Sequence, residues 1–254
     1  MKVINPAFDY DSNGQLYSGY RRTDPRIAQI IYNALASAKT VLNVGAGTGS
    51  YEPLNKYVVA VEPSAVMRAQ RLALHKVPAI NAMANALPFD DNAFDASMAT
   101  VTIHHWKDIA KGLLELRRVT REQVLILTFD PDALSNFWNV HYFPEVVEIE
   151  RQRYPTIDFI KENLGGSCEV IPVPIPLDCV DGFQEAFYGR PEMFLQKEIR
   201  QAQSAWSFLP QGQEEKIVKR LANDLASGEW DKKYGVYRTM PVFTCALRLV
   251  VARP

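Results

Sequence analysis

Gly45-Ala46-Gly47-Thr48-Gly49 sets glycine at every second position directly after the apolar run Thr40-Val41-Leu42-Asn43-Val44. Residues without side chains let a backbone turn tightly and come close to a ligand, so this segment reads as a strand that ends in a ligand-binding turn. Glu62 follows Gly45 by seventeen positions, closing the next apolar run, Val58-Val59-Ala60-Val61. A carboxylate at that place accepts hydrogen bonds from both hydroxyls of a ribose. Together the two features put a nucleoside across the carboxyl ends of two strands. His104 and His105 are the candidate catalytic groups. Imidazole titrates near neutrality, so either histidine is a candidate general base toward a hydroxyl; the alternative is a pair that only positions its loop.

The elements that must hold these residues alternate between strand and helix. Asp24-Pro25 reads as an N-cap followed by proline at the first helical position, and Ile27, Ile30, Ile31 and Leu35 carry that helix to about Ala36. After the strand at 40–44 and the strand at 58–61, Ser64 caps a helix through Leu74. A short strand is expected near Pro78 to Asn81, a longer one from Phe94 to about Thr100, a helix from Asp108 to Arg118, and a strand from Val124 to Phe129. This alternation predicts parallel βαβ units in a doubly wound α/β sheet. Beyond Asp130 the pattern changes to a helix at 143–150 and a proline-interrupted extended stretch at 170–176, which only a sheet edge tolerates. A helical region is expected from about 182 to 228, and the regular run Val242 to Ala252 reads as a core strand. The expected organisation is one domain over 1–254, with an arm and helix to 39, a cofactor-binding half at 40–130, a helical insertion or lid at 170–240, and the final strand at 241–254.

Composition excludes several functions. Lys plus Arg number 28 against 29 for Asp plus Glu, so no net positive field attracts phosphate backbones and no nucleic-acid partner is expected. The start Met1-Lys2-Val3-Ile4-Asn5-Pro6 lacks the apolar core of a signal peptide, and no run approaches the ~18 apolar residues of a membrane span. A cytoplasmic location without a membrane partner is expected. Cys168, Cys179 and Cys245 lack CxxC spacing, which predicts buried thiols with neither a disulfide framework nor a metal site.

The glycine spacing separates two cofactor classes. A dinucleotide turn needs Gly-x-Gly-x-x-Gly, and its third glycine would fall at Ser50; Pro53 also interrupts the few residues before the second strand, where a pyrophosphate wants a helix amino terminus. Val41 to Gly49 instead resembles the first motif of the class I S-adenosylmethionine-dependent methyltransferases. Val61-Glu62-Pro63-Ser64-Ala65-Val66-Met67 is similar to that family's acidic second motif, Ala84 to Asp95 to its Leu-Pro-Phe and Phe-Asp signature, and Thr102-Ile103-His104-His105-Trp106 to the segment after the fourth strand in one bacterial branch. Weaker similarity continues through Arg190-Pro191-Glu192 and Gly228-Glu229-Trp230-Asp231.

The resemblance implies a Rossmann-like, mostly parallel sheet with an antiparallel C-terminal strand preceded by a helical insertion. It implies S-adenosylmethionine as cofactor, with Gly45, Ala46, Gly47 and Gly49 along the methionine part and Glu62 on the ribose. Pro63 and Met67 would pack on the adenine, Met83 and Ala84 flank its edge, and Thr100 with His104 or His105 closes the site near the sulfonium. Asn43 stands where the family usually carries aspartate, and Met83 where an aspartate often accepts from the adenine amine. Arg21, in the arm with Tyr10, Tyr17, Tyr20 and Arg22, either pairs with the cofactor carboxylate or is solvated. Trp106, Trp138, Trp206 and Trp230 with Phe183, Phe187 and Tyr188 either form an aromatic acceptor pocket or are core, and His141 either covers the acceptor or joins a surface aromatic cluster. The expected function is methyl transfer to a small-molecule acceptor by direct in-line displacement. A catalytically silent S-adenosylmethionine-binding or partner protein and a nicotinamide-dependent oxidoreductase are the alternatives.

Overall fold

Period-two alternation along the strands sorts their side chains into two apolar layers, one on each face of a seven-stranded sheet. The computed structural model describes residues 17–254, and Tyr10 lies outside them. In β1 (Thr40–Val44), Val41 packs with one layer while Leu42 and Val44 pack with the other. The helix α1 (Pro25–Leu35) covers the first layer with Ile27, Ala28, Ile31 and Leu35. Then follow β2 (Tyr57–Val61), α2 (Ala65–Ala73), β3 (Ala79–Ile80), β4 (Phe94–Thr100), α3 (Ile109–Val119) and β5 (Thr120–Phe129). Leu113 and Leu116 of α3 cover the second layer.

The chain continues through α4 (Pro144–Arg153), α5 (Ile157–Leu164), β6 (Ser167–Pro172), β7 (Ile175–Pro176), α6 (Gln213–Ala226), β8 (Val242–Phe243) and β9 (Leu247–Arg253). The sheet order is β3-β2-β1-β4-β5-β9-β6. Its first five strands run parallel, and β9 runs antiparallel between β5 and β6. The expected α/β, Rossmann-like sheet with an antiparallel C-terminal strand is therefore the observed one. Among the described residues no helix is long and apolar enough to cross a membrane.

Four boundaries differ from the sequence reading. The strand expected from Val124 begins at Thr120, and α5, capped by the Thr156 hydroxyl, was not expected. The run from Val242 to Ala252 is two strands: β8 pairs with β7 in a small ribbon, and the chain turns at Thr244-Cys245-Ala246 before β9 enters the main sheet. The region expected to be helical from 182 to 228 is helical in pieces: one long helix, α6, preceded by short 3-10 and α-helical segments. Gly182, Gly189, Pro191 and Pro210 break that segment too often for a continuous helix. Trp138, Trp206, Trp230, Phe187 and Tyr188 pack there as core, so the aromatic acceptor pocket is not what these five form. His141 is exposed and stacks with Tyr234, which makes it a surface cluster residue.

The segment between β6 and β9 is tied back to α1 through one loop. Asp24, with no exposed surface, caps α1 by accepting from the Arg26 amide, takes two bonds from the Arg26 guanidinium, and accepts at 3.1 Å from the Val180 amide. Burial alone would raise its pKa, but the Arg26 side chain and the two amides outweigh it and hold the carboxyl down at about 2. A depressed carboxyl contributes stability that is complete above its ordinary value near ~4 and is lost as the pH falls through about 2. Asp24→Ala should therefore lower stability at neutral pH by about 1–2 kcal/mol. In urea unfolding the gap to the wild type should narrow as the pH drops from ~4 toward 2.

Candidate active site

Each glycine of the turn meets a different constraint. All three have positive φ, +67° at Gly45, +51° at Gly47 and +93° at Gly49, a region that other residues avoid. A Cβ on Gly45 would lie 2.3 Å from the Thr102 hydroxyl oxygen, and one on Gly49 would lie 2.7 Å from the Arg71 guanidinium. A Cβ on Gly47 would meet nothing within 4 Å, so this residue leaves open space on the pocket side.

Behind Gly49 sits a buried ion pair. Arg71 of α2 donates from Nη1 and Nη2 to the two Glu52 oxygens at 2.8 and 3.0 Å, and both residues are buried. Asn43 of β1 donates its amide to Glu52 Oε1 at 2.9 Å. With aspartate at 43, two carboxylates would face this buried guanidinium and repel one another; the neutral amide donates instead. Asn43 and Gly49 thus support the turn from behind and do not line the pocket. Their side of the backbone faces Glu52, away from the space that Gly45, Ala46 and Gly47 border.

That space is a pocket of about 450 Å3 at the carboxyl ends of β1, β2 and β4, a size suited to a nucleoside ligand. Glu62, just past β2, accepts from the Gly47 amide at 2.8 Å with one oxygen and from the Ser64 amide at 2.9 Å with the other. Those bonds fix the carboxylate plane, and a carboxylate has about four acceptor positions in all. Arg68 holds the same corner by donating to the Glu62 and Pro63 carbonyls. Pro63 and buried Met67 supply apolar wall, and Met83, Ala84 and Thr100 complete the part of the lining that the sequence identified. The Leu87-Pro88-Phe89 loop beyond Ala84 is clamped by α3, where Glu115 accepts from the Leu87 amide and Arg118 donates to the Leu87 and Phe89 carbonyls. Asp95 is structural: it accepts from the Lys39 and Thr40 amides and pairs with Arg121, which holds its carboxyl far below the usual range.

The histidines separate. His105 lines the pocket, whereas His104 faces a second cavity of about 40 Å3 that also includes His105 and Val101. Arg153, whose guanidinium carries donors only, donates to His105 Nδ1 at 3.1 Å, which leaves the ring proton on Nε2. Burial first, and then the Arg153 and Arg21 charges, hold the His105 pKa well below 6.5. His104, its ring centroid 3.9 Å from that of His105 and 4.2 Å from that of Tyr154, is also held well below the usual imidazole range by burial and then by His105, Arg153 and Arg21. Neutral imidazoles with such low basicity are poor proton acceptors at pH 7, so the positioning role is the one this geometry favours. Arg21 is also not in the pocket: it pairs with Asp181 at 2.7 Å, beside the Tyr51 hydroxyl on the other Asp181 oxygen, and lines the second cavity.

Sequence reasoning missed Glu52 and Arg71, nineteen residues apart with no local pattern to link them. It also missed Val101, and it gave Thr102 no role beyond its place in the motif after the fourth strand. Val101, at φ +50°, is a β-branched residue in the left-handed region, strained where the two cavities meet.

A model of the methyltransferase domain matches residues 42–128. A solved structure from Anabaena variabilis, a methyltransferase assigned to an antibiotic biosynthesis pathway, is 31% identical, with a TM-score of 0.84 across 92% of this chain and 98% of its own. The chain belongs to the class I S-adenosylmethionine-dependent methyltransferases. Curated relatives match over shorter spans. The malonyl-acyl-carrier-protein O-methyltransferase of Halorhodospira halophila is 27% identical over 45% of this chain and 43% of that protein. An uncharacterized methyltransferase of Mycobacterium bovis is 36% identical over 34% of this chain and 37% of its own. The chain spans less than half the length of these curated relatives.

S-adenosylmethionine is the cofactor of this methyltransferase family, and the pocket fits it: the open face of Gly47 and the anchored Glu62 carboxylate border one apolar-walled space. The methyltransferase depends on the ion pair beneath that wall. Arg71→Met should cost about 3–5 kcal/mol in urea unfolding because it leaves the buried Glu52 carboxylate with only the Asn43 amide and Lys76 at 4.0 Å. Adding Glu52→Gln should restore part of the loss.

Proposed function

We propose that the protein transfers a methyl group from S-adenosylmethionine to a small-molecule acceptor seated in the second cavity. One observation carries the reading: the nucleoside pocket and a polar cavity under the insertion share Val101 and His105 as a common wall. Gly45, Ala46 and Gly47 border the methionine part, Glu62 takes the ribose hydroxyls, and Pro63, Met67, Met83 and Ala84 enclose the adenine. When bound, the cofactor supplies an electrophilic methyl on a sulfonium, which an acceptor displaces in line.

The residues of this chain then contribute alignment above all, and holding two reactants in register is itself a large share of such a reaction. Thr100 closes the pocket at the end of β4, and His105, fixed by Arg153, keeps one ring orientation at the junction. A small acceptor is favoured because the second cavity is narrow and lies under the insertion, and because the charge balance of 28 to 29 offers no attraction to nucleic acid. The nicotinamide alternative loses support from the loop at 50–56, which forms turns and no helix, so no helix amino terminus is present there to meet a pyrophosphate.

Calorimetric titration with S-adenosylmethionine, S-adenosylhomocysteine, NADH and NADPH tests the reading. Only the sulfur nucleosides should bind, and Glu62→Ala should weaken them by about tenfold or more, the value of a charge-assisted hydrogen bond to ribose. Binding of the nicotinamides, or of nothing, would contradict it.

A further inference from the structure

The second cavity is small, and many of its lining side chains are polar. Four side chains on its wall carry polar atoms without a hydrogen-bond partner: His104 Nδ1, Asn139 Oδ1, Gln184 Oε1 and both ends of the Gln203 amide. Three of these residues are almost wholly buried, with 3% of His104, 1% of Asn139 and 6% of Gln203 exposed. Buried polar groups are nearly always paired, and so many unpaired in one place mark space for a ligand that hydrogen-bonds. A volume of about 40 Å3 accommodates roughly three water-sized groups, enough for the reacting end of a molecule.

Two carboxylates, Glu150 of α4 and Glu185, share the wall. Glu185 already accepts from the Ala246 amide at 3.1 Å. Glu150 faces the Arg153 and Arg21 charges, takes a bond from Tyr154, and shares the cavity with His104, His105 and Glu185. We propose, resting on the methyl-transfer reading above, that this cavity selects an acceptor whose reacting atom carries a proton, N–H or O–H, and that the Glu150 carboxylate binds that group and receives its proton. The lone pair of the acceptor atom forms the bond to the methyl carbon. The bond from sulfur to that carbon breaks with its electrons left on sulfur, and S-adenosylhomocysteine departs as a neutral thioether. The acceptor proton ends on Glu150 and passes to solvent. An ionised carboxylate accepts and does not donate, so Glu150 prefers such a ligand over one that brings only acceptors, whereas Glu185, pushed up to about 7 by burial, is part-protonated near neutrality and keeps its bond from the Ala246 amide. Burial raises the Glu150 pKa, which makes it a stronger base than an exposed carboxylate, while both histidines are held neutral.

The full chain loaded with S-adenosylhomocysteine is titrated calorimetrically with two probes of similar size, ethanolamine, which brings N–H and O–H donors, and acetate, which brings acceptors alone. Ethanolamine should bind about tenfold tighter than acetate, the worth of hydrogen bonds to a charged group. Its affinity should rise with pH as Glu150 ionises. Glu150→Gln should remove the preference and the pH step while leaving the affinity for S-adenosylhomocysteine within about twofold. Equal or tighter binding of acetate overturns the proposal, as does binding of neither probe, which would mean that the cavity holds only water. Failure to bind S-adenosylhomocysteine would instead overturn the methyl-transfer reading beneath it. If Glu150→Gln does not fold, the wild-type preference and its pH step decide.

Discussion

The paired charges of Glu52 and Arg71 are the constraint on which the site depends. Neither is stable alone out of water, so the pair holds the loop after the glycine turn against α2 at one fixed position. Gly49 packs against that pair so closely that a methyl group would not fit. The turn is thereby positioned for the Gly47 amide to bind Glu62, and the Glu62 carboxylate sets where a ribose can lie. Charge pairing in the interior thus reaches the ligand through two hydrogen-bonded steps. Asn43 belongs to the same assembly, and its lack of charge is what lets one carboxylate and one guanidinium balance there.

A division of labour follows from the sheet. The parallel strands end at the nucleoside pocket, the common ligand position in open α/β sheets. The segment between β6 and β9 closes the other cavity with residues 183–185 and 202–204, against walls from elsewhere in the chain. Val101 and His105 join the two: the backbone of one is held in the costly left-handed region, and the ring of the other is kept neutral by burial and the guanidinium beside it. Asp181 ties this junction to the chain's beginning by pairing with Arg21 and accepting from Tyr51.

Much of the cofactor half was legible in the sequence because its signals are local. The glycine turn, the acid closing β2 and the Asp24 and Ser64 caps each lie within a few residues of what they position. What escaped was set by contacts between distant residues. Asn43 and Gly49 were identified by motif, but which side of a strand or turn faces the ligand depends on Glu52 and Arg71. Arg21 and His104 went to the neighbouring cavity for the same reason: Asp181 and Tyr154, far along the chain, decide where they point. The insertion read as one helical region because its apolar residues are dense, yet glycines and prolines divide it into short helical pieces whose aromatic residues build core.

A crystal structure of the protein with S-adenosylhomocysteine bound tests the central claim most directly. The account predicts both ribose hydroxyls on the Glu62 carboxylate and the sulfur directed toward the wall that Val101 and His105 share with the second cavity. A nucleoside bound elsewhere, or in this pocket with its sulfur turned away from that wall, would contradict it.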